Sequence, residues 1–265
     1  MRKTFLTTAA IVAFGTSTAM AADLGAMPTK AYAMAAAPWS WTGAYVGLNA
    51  GYAWGNSDAT PLHDGQFGKI NGVDISAPPV SARPQGFIGG GQIGYNWQTG
   101  PWVLGAELDF SGINARTNTF VDPFFNGKGG TTSATYSSQY DWLATARLRG
   151  GVTVAPNWLL YVTGGLAVTH AKDSIYSAQP GIFNQGSVVT WSSSSTLYGG
   201  VIGAGTEYAF APNWSVKIEY LYAKFDDTTP PVTAKFDVPQ SVNPIASFHH
   251  DLSTVRAGIN YKFGG

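Results

Sequence analysis

Apolar and polar side chains alternate along most of the chain that follows Trp41. In the stretch AYVGLNAGYAW, Val46, Leu48 and Tyr52 occupy one set of alternate positions, while Asn49 and the glycines occupy the other. A period of two residues is typical of a β-strand whose two faces meet different surroundings. The same sorting recurs in seven further segments, at about 87–98, 102–112, 140–154, 158–170, 196–210, 214–225 and 251–263. The alternation therefore predicts eight strands.

The connections between these segments alternate between short and long. Three are only a few residues long: QTGP, and the two copies of APN in the repeated tetrapeptide APNW. Four long ones, at about 55–85, 114–138, 172–194 and 226–250, are rich in Gly, Ser, Thr, Asn, Asp and Pro and are predicted to be loops. Short turns at one end and long loops at the other are typical of a bacterial outer-membrane barrel, whose closure satisfies every backbone group in lipid. We predict an all-β fold, an eight-stranded antiparallel up-and-down transmembrane β-barrel.

The apolar set of each segment is expected to face lipid. In 140–154 this set begins with Tyr140 and Trp142. Its ionisable members are His170 and Lys224, both near predicted strand ends, where long side chains can reach the interface. Tryptophans cluster beside the short turns, and their amphipathic rings favour the edge of a bilayer. The predicted periplasmic-side aromatic girdle consists of Trp97, Trp102, Trp158 and Trp214.

The opposite face of the same segments carries the charged side chains. A charge at mid-bilayer on a lipid face costs roughly 2–4 kcal/mol, and so many charges in the core of a soluble sandwich would cost still more in desolvation. This face is therefore expected to line the barrel interior, which side chains just fill when there are eight strands. The carboxylates Glu107 and Asp109 could do acid–base work, but we predict a structural lumen charge network and no catalytic residues. Its members are Glu107, Asp109, Arg147, Arg149, Glu207, Lys217, Glu219 and Arg256.

Composition supports a membrane protein without long apolar helices. Of the 265 residues only 11% are charged, against about 25% in an average soluble domain, yet the mean hydropathy is −0.01. The 15 basic and 15 acidic side chains balance, so charge does not favour nucleic acid as a partner. The absence of cysteine excludes disulfides, thiolate metal sites and a thiol nucleophile.

The N-terminal segment predicts export. Arg2 and Lys3 precede a short apolar run, and Ala19-Met20-Ala21 forms an A-x-A cleavage site, as in a secretory signal peptide. The apolar run is shorter than the roughly 20 residues that a spanning helix needs. We expect a signal peptide at 1–21, a flexible periplasmic lead-in at 22–40 and the barrel at 41–265, in the bacterial outer membrane.

Three histidines, His63, His249 and His250, fall in predicted long loops. A neutral imidazole can ligate haem iron, and aromatic side chains can cover a porphyrin. Nothing in their spacing fixes a ligand geometry, so we expect no metal and no firm cofactor site. They are the candidates for hemin binding.

Several segments resemble the small outer-membrane β-barrel proteins of alphaproteobacteria. These are WTGAYVGLNAGYAWG, GFIGGGQIGYNWQTGPWVLGAELDF, DWLATARLRGGVTVAPNWLLYVTGGLA, GTEYAFAPNWSVKIEYLYAKF and STVRAGINYKF, and the resemblance spans residues 39–263. That family includes the porin-like surface antigens of Brucella, the hemin-binding proteins of Bartonella and rhizobial relatives. The resemblance implies an eight-stranded barrel with roles in envelope integrity and surface exposure and, in some members, hemin binding.

The expected function is that of a monomeric structural barrel with surface-exposed loops. Its expected partners are outer-membrane lipid, lipopolysaccharide and the barrel assembly machinery, with no nucleic acid. One alternative is a small-solute porin, which needs more strands or a trimer to leave an aqueous channel. Another is a lipid-modifying enzyme, which needs Ser, His and an acid converging near the outer leaflet.

Overall fold

The computed structural model describes residues 39–61, 66–70, 73–76, 80–126, 130–179, 187–227, 233–235 and 246–264. Residues 1–38 lie outside the described ranges, so the signal peptide and most of the lead-in stay predictions. Within those ranges, no helix is long and apolar enough to cross a membrane.

Eight antiparallel strands form the barrel. They are β1 (Gly43–Pro61), β2 (Gln85–Thr99), β3 (Trp102–Asn126), β4 (Gly130–Ala155), β5 (Trp158–Gln179), β6 (Ser187–Ala211), β7 (Trp214–Phe225) and β8 (Ala246–Lys262). Each strand pairs with the next in the chain, and β8 also pairs with β1, so the sheet closes on itself. The predicted eight-stranded up-and-down barrel is confirmed.

Short strands occur inside two of the predicted loops. Val80–Ala82 pairs with β1, and Thr233–Lys235 pairs with β6. Gln66–Ile70 and Val73–Ser76 pair with each other in a separate two-stranded sheet. These strands lie at the end of the barrel opposite the short turns.

The short connections are two-residue turns at 100–101, 156–157 and 212–213. Gly100 has a φ of +58°, a backbone conformation that glycine adopts without steric cost. In the two APNW copies, proline supplies a fixed φ and asparagine completes the tight bend. The repeat therefore marks two equivalent positions at one end of the barrel.

The two faces of the wall differ as the alternation predicts. Large apolar side chains point outward, and Leu48, Phe87 and Leu148 are 68%, 75% and 72% exposed. The charged set lies inside and is buried. Exposed apolar side chains over the whole girth of a barrel are what a hydrocarbon environment requires.

Four strands extend far beyond their predicted ends. β3, β4, β5 and β6 contain 25, 26, 22 and 25 residues, whereas about 9–11 residues suffice to cross a bilayer. The prediction that 114–138 and 172–194 are loops is therefore wrong over most of their length. These segments are polar, but they are also rich in Thr, Tyr, Phe and Val, which favour extended backbone.

A β-bulge in β4 reverses the faces of its outer part. The register with β5 shifts between Tyr140 and Trp142, so two consecutive residues, Asp141 and Trp142, both leave the interior. Tyr140, which we expected to face lipid with Trp142, is fully buried inside the barrel. An unbroken period of two cannot reveal a bulge, because the extra residue moves every later side chain to the other face.

Candidate functional site

Two tryptophans close the interior at the short-turn end. Trp41 is buried against Val103, Leu159 and Ala209, and its ring lies 5.6 Å from that of Trp39 in an edge-on arrangement. The Trp41 backbone N–H donates to Gln98 Oε1 at 2.8 Å, and Lys262 Nζ lies 4.8 Å from the centre of the Trp39 ring. We call Trp39 and Trp41 the tryptophan plug; Trp39 thus packs with the barrel although it falls in the segment predicted as lead-in.

The lumen charge network lies beyond this plug, and all eight of its side chains are buried. Arg256 donates to Asp109 Oδ1 at 2.9 Å and to Glu219 Oε1 at 2.7 Å. Arg147 reaches Glu219 Oε2 at 3.1 Å and also pairs with Glu107 and Asp109. Each of these guanidinium groups therefore joins carboxylates from two different strands.

Two further cations complete the network. Arg149 donates to Glu207 Oε2 at 2.8 Å and stacks over the Tyr161 ring at 4.6 Å. Lys217 Nζ lies 3.1 Å from Glu107 Oε2 and 3.3 Å from Glu219 Oε1. The structure thus brings all the sequence-predicted members together, four acids against four bases, so the buried charge sums to zero.

Strand register sets most of these contacts. Glu107 lies directly opposite Arg147 on β3 and β4, Lys217 opposite Glu207 on β7 and β6, and Glu219 opposite Arg256 on β7 and β8. Cross-strand neighbours on one face approach within about 4.5–5.5 Å at Cβ. The pairing of β7 with β8 is therefore held by a charged pair as well as by backbone hydrogen bonds.

Uncharged polar side chains tie the network to the wall. Asn49 donates to Gln92 at 2.7 Å, Gln92 to Asn260 at 2.6 Å, and Asn260 to Glu207 at 2.7 Å. Tyr45 donates to Glu107 Oε2 at 2.7 Å. Sequence reasoning placed these residues opposite the apolar set but assigned them no role. The sequence did contain a sign of this role, because these residues occupy the same alternate positions of the strands as the charged residues.

An upper apolar layer covers the network on its outer side. Buried apolar side chains from all eight strands form it: Ala53, Ile88, Ile113, Ala115, Tyr140, Leu143, Ala167, Ala171, Leu197, Val201, Leu221, Ala223, Phe225 and Leu252. Apolar side chains therefore fill the described interior on both sides of the charges.

A second polar cluster lies outward of the upper apolar layer. Ser57 Oγ is 2.7 Å from the Tyr136 hydroxyl and 3.1 Å from His250 Nδ1. Tyr136 donates to Asp173 Oδ1 at 2.8 Å, and His250 Nε2 lies 3.4 Å from Asp173 Oδ2. Tyr140 OH is also 3.1 Å from His250 Nδ1. We call Ser57, Tyr136, Tyr140, Asp173 and His250 the outer polar cluster.

Burial controls protonation in this cluster. It lowers the pKa of His250, although Asp173 acts in the opposite direction. Burial, reinforced by Asp173, raises the pKa of Tyr136. We assign a neutral imidazole whose Nε2–H donates to Asp173 and whose Nδ1 accepts from a hydroxyl, because both hydroxyl neighbours lie at Nδ1. Sequence reasoning missed this grouping, since its members come from four distant parts of the chain.

The hemin candidates do not converge in the structure. His249 and His250 belong to β8 rather than to a loop, and consecutive residues of a strand point to opposite faces. His250 is enclosed in the outer polar cluster, whereas His249 is half exposed and lies 3.1 Å from Asp227. His63 lies outside the described residues. In the part of the chain that the structure describes, no group of three or more His, Asp or Glu side chains could hold a metal ion.

The four girdle tryptophans all point outward beside the short turns. Trp97, Trp102, Trp158 and Trp214 are exposed. Each of three packs against a tyrosine, with ring centres 4.6 Å apart for Trp97–Tyr95, 6.2 Å for Trp158–Tyr208 and 5.1 Å for Trp214–Tyr261. A second aromatic row near the other end includes Trp54, Tyr220, Phe110 and Trp142. Two aromatic rows flanking an apolar band mark the two edges of a bilayer.

Comparisons with known proteins agree with this architecture. Residues 9–263 match the family model described as the outer membrane protein beta-barrel domain. The chain is 36% identical over 263 residues to the 31 kDa outer-membrane immunogenic protein of Brucella melitensis, a match that covers 96% of this chain and 98% of that relative. It is 28% identical over 176 residues to the 22 kDa outer membrane protein of Rhizobium leguminosarum, covering 66% of each.

Among solved structures, the outer membrane protein OprG from Pseudomonas aeruginosa matches 86% of this chain and 99% of its own, with a TM-score of 0.42 and 14% identity. The family match and the Brucella relative confirm the resemblance to alphaproteobacterial outer-membrane proteins. The chain therefore belongs to the outer-membrane β-barrel protein family and lies in the bacterial outer membrane.

Proposed function

We propose that the protein is a closed structural barrel that strengthens the outer membrane and presents the outer parts of its strands and loops at the cell surface, without conducting solutes. The observation that carries this proposal is the filled interior. Four acids and four bases are buried between the tryptophan plug and the upper apolar layer. Eight strands leave room for side chains but little for water.

The proposal places the long-connection end outside the cell, as in barrels of this kind. β3 to β6 then carry a hydrogen-bonded wall beyond the membrane. This wall is the part of the molecule that other molecules at the surface would meet. The name of the Brucella relative, an immunogenic protein, supports a surface-exposed role.

We also infer that the protein is not an enzyme. Ser57, His250 and Asp173 have the side-chain types of a hydrolytic triad, and they are within hydrogen-bond reach of one another or nearly so. However, Ser57 is fully buried, and its hydroxyl is shared with Tyr136 and with Asp173 Oδ1 at 3.3 Å. A nucleophile must reach a substrate carbonyl, and an enclosed hydroxyl cannot do so.

Planar-bilayer recording on the refolded full-length chain tests the closed barrel. We expect no discrete current steps from the parent. The matched pair Arg256→Ala and Lys224→Ala provides the control, because the first removes a cation from the interior and the second removes one from the outer surface. Arg256→Ala should produce current steps or noise, whereas Lys224→Ala should stay silent. Regular current steps from the parent would contradict the closed barrel and would favour a small-solute porin.

A further inference from the structure

An outward-facing groove lies on β3 to β6, just beyond the outer aromatic row. Its volume is about 650 Å³. Eight of its lining residues project from the outer face of the wall: Arg116, Asn118, Ser137, Gln139, Lys172, Ser174, Ser192 and Ser194. The other four lining residues, Thr117, Ser138, Asp173 and Ser193, alternate with these and face the interior. The groove therefore opens on the outside of the barrel, and none of its lining residues belongs to the lumen charge network.

Strand register arranges these side chains in two rows. Arg116, Gln139, Lys172 and Ser194 lie opposite one another across the four strands. The second row lies two residues farther from the membrane along each strand. It contains Asn118, Ser137, Ser174 and Ser192. Four of the eight side chains are small serines, which we call the serine floor: Ser137, Ser174, Ser192 and Ser194.

The position of the groove along the membrane normal follows from its distance to the outer aromatic row. The Trp142 ring stacks between Phe110 and His170, at centre distances of 5.8 and 6.4 Å, and marks the edge of the apolar band. Lys172 follows His170 by two residues, which is about 7 Å along the strand and about 5 Å along the membrane normal at a 45° tilt. The polar layer on each side of a bilayer is about 5–8 Å thick. The row that contains Lys172 therefore lies at the level of lipid headgroups, and the next row lies about 5 Å farther out.

The chemistry of the groove suits a phosphorylated sugar. Serine hydroxyls and side-chain amides both donate and accept, as sugar hydroxyls require. Arg116 and Lys172 supply cations in the row nearer the membrane. A guanidinium group can bind a phosphate through two parallel hydrogen bonds. Lys172 Nζ gives one bond to Asp141 at 2.7 Å, which leaves two donors of its ammonium for a ligand.

Outward charge is divided unevenly around the barrel at this level. The groove side has Arg116 and Lys172 against Asp141. The side formed by β7, β8, β1 and the short strand Val80–Ala82 has Lys224 and Arg83 against four outward or exposed acids, Asp58, Asp226, Asp227 and Asp251. An anionic headgroup is therefore attracted to the groove and repelled from the opposite side.

Two aromatic side chains stand beyond the groove on the same face. Phe120 is 63% exposed and Tyr176 is 48% exposed, although both lie well past the apolar band. They follow Asn118 and Ser174 by two residues on their strands. Their rings offer flat apolar faces against which a sugar ring can pack.

We propose that this groove binds the phosphorylated sugar headgroup of an outer-leaflet glycolipid, such as the lipid A part of lipopolysaccharide. Arg116 and Lys172 bind the phosphate, and the serine floor with Asn118 and Gln139 binds the sugar. This inference rests on the proposed orientation, with the short turns in the periplasm. It does not depend on whether the lumen conducts.

Native mass spectrometry of the refolded full-length barrel in detergent tests the proposal, with diphosphoryl lipid A as the probe. The parent should retain one lipid A molecule. The double variant R116Q/K172Q should bind about five- to ten-fold more weakly, because it loses two charge-assisted contacts. The matched double variant R83Q/K224Q removes one Arg and one Lys from exposed positions outside the groove and should bind like the parent.

A second variant tests shape without changing charge. Ser174→Phe fills the serine floor with a residue that strands favour, and it should also weaken retention of lipid A. Heat-dependent gel mobility reports whether each variant is folded. Equal losses in both double variants, or no loss in R116Q/K172Q and Ser174→Phe, would overturn the groove assignment.

The source of the headgroup is tested with two further probes. Dephosphorylated lipid A should bind the parent weakly, and the deacylated glucosamine disaccharide bisphosphate should bind more weakly than lipid A because it lacks the membrane anchor. If the deacylated compound binds as tightly as lipid A, the groove is a site for soluble anionic sugars and the lipid assignment is wrong. Current through the parent barrel would contradict the closed lumen alone, so the two proposals can fail separately.

Discussion

Asn213 holds Lys262 through two hydrogen bonds that join the last short turn to the last strand. The Asn213 side-chain amide donates to the Lys262 carbonyl at 2.8 Å, and the Lys262 backbone N–H donates to the Asn213 carbonyl at 2.8 Å. Asn157 makes the equivalent pair with Ala209, at 3.3 and 2.9 Å. The repeated APNW thus links each turn to the strand that follows its own hairpin.

Replacing this asparagine should weaken the attachment of β8 to the last short turn. Asn213→Ala removes the side-chain bond and should lower the free energy of unfolding by about 0.5–1.5 kcal/mol. Urea titration of the refolded protein in lipid vesicles, followed by tryptophan fluorescence, measures the change. Thr99→Ala, at an exposed position beside the first short turn, is the control and should have no measurable effect. An unchanged midpoint for Asn213→Ala would mean that water replaces the amide.

Removal of one lumen cation should be far more damaging than removal of a surface cation. Arg147→Ala leaves the carboxylates of Glu107 and Glu219 short of a partner in a buried site, and breaking such a pair costs on the order of 3–5 kcal/mol. Lys224→Ala, on the outer surface, should cost about 0–1 kcal/mol. The urea midpoints of the two variants give the comparison. Equal and small shifts would indicate a hydrated channel.

The outer polar cluster should make stability depend on pH. The pKa of His250 is lower in the folded barrel than in the unfolded chain, because burial disfavours the imidazolium. The unfolded chain therefore binds the proton more tightly, so this contribution is complete above about pH 6.5 and is lost as the pH falls below it. The urea midpoint of the parent should fall between pH 7 and pH 5, and His250→Gln should reduce that fall. His249→Gln, at the exposed neighbouring position, should leave it intact.

Orientation can be read from single cysteines, because the chain contains none. Asn118→Cys, in the outer part of β3, should react with an impermeant maleimide on intact cells. Thr99→Cys, exposed beside the first short turn, should react only after the envelope is opened. Labelling of position 99 on intact cells would reverse the proposed orientation, and with it the headgroup assignment of the groove.

Hemin binding distinguishes the two adjacent histidines. His250 is enclosed by Ser57, Tyr140 and Asp173, so His250→Ala should leave any shift of the hemin Soret band unchanged. His249 is half exposed, so any contribution of these two histidines to hemin binding has to come from His249. The variant His249→Ala is therefore the matched comparison. Loss of the shift in His250→Ala alone, with the barrel still folded, would contradict the buried position of that imidazole.

The barrel and the lumen charge network could be predicted because both depend only on the alternation of inward and outward positions along the strands. Once alternate positions are sorted, Glu107 and Arg147 must share the inner face, and the short turns fix which strands are neighbours. The outer polar cluster could not be predicted in this way. The bulge beside Trp142 brings Tyr140 and Tyr136 inside, and the register that brings His250 to Ser57 depends on how β8 closes on β1.

The limits of the strands were missed for a different reason. Serine-rich and threonine-rich segments such as 131–138 and 192–196 have loop-like composition, yet in this barrel they are strands. Most of 131–138 is paired on both edges, with β3 and β5, and 192–196 is paired with β5 along its whole length. Pairing with a neighbouring strand compensates for the modest strand preference of serine, and composition carries no information about such partners.

The length of β3 to β6 has a consequence for immune recognition. A wall of paired strands beyond the membrane holds outward side chains from four distant parts of the sequence at fixed spacings. An antibody against this wall would bind a composite epitope, which a synthetic peptide from any one segment would not reproduce. Serum raised against the folded barrel should therefore lose much of its reactivity when the antigen is boiled, and a vaccine based on this surface would need the intact sheet.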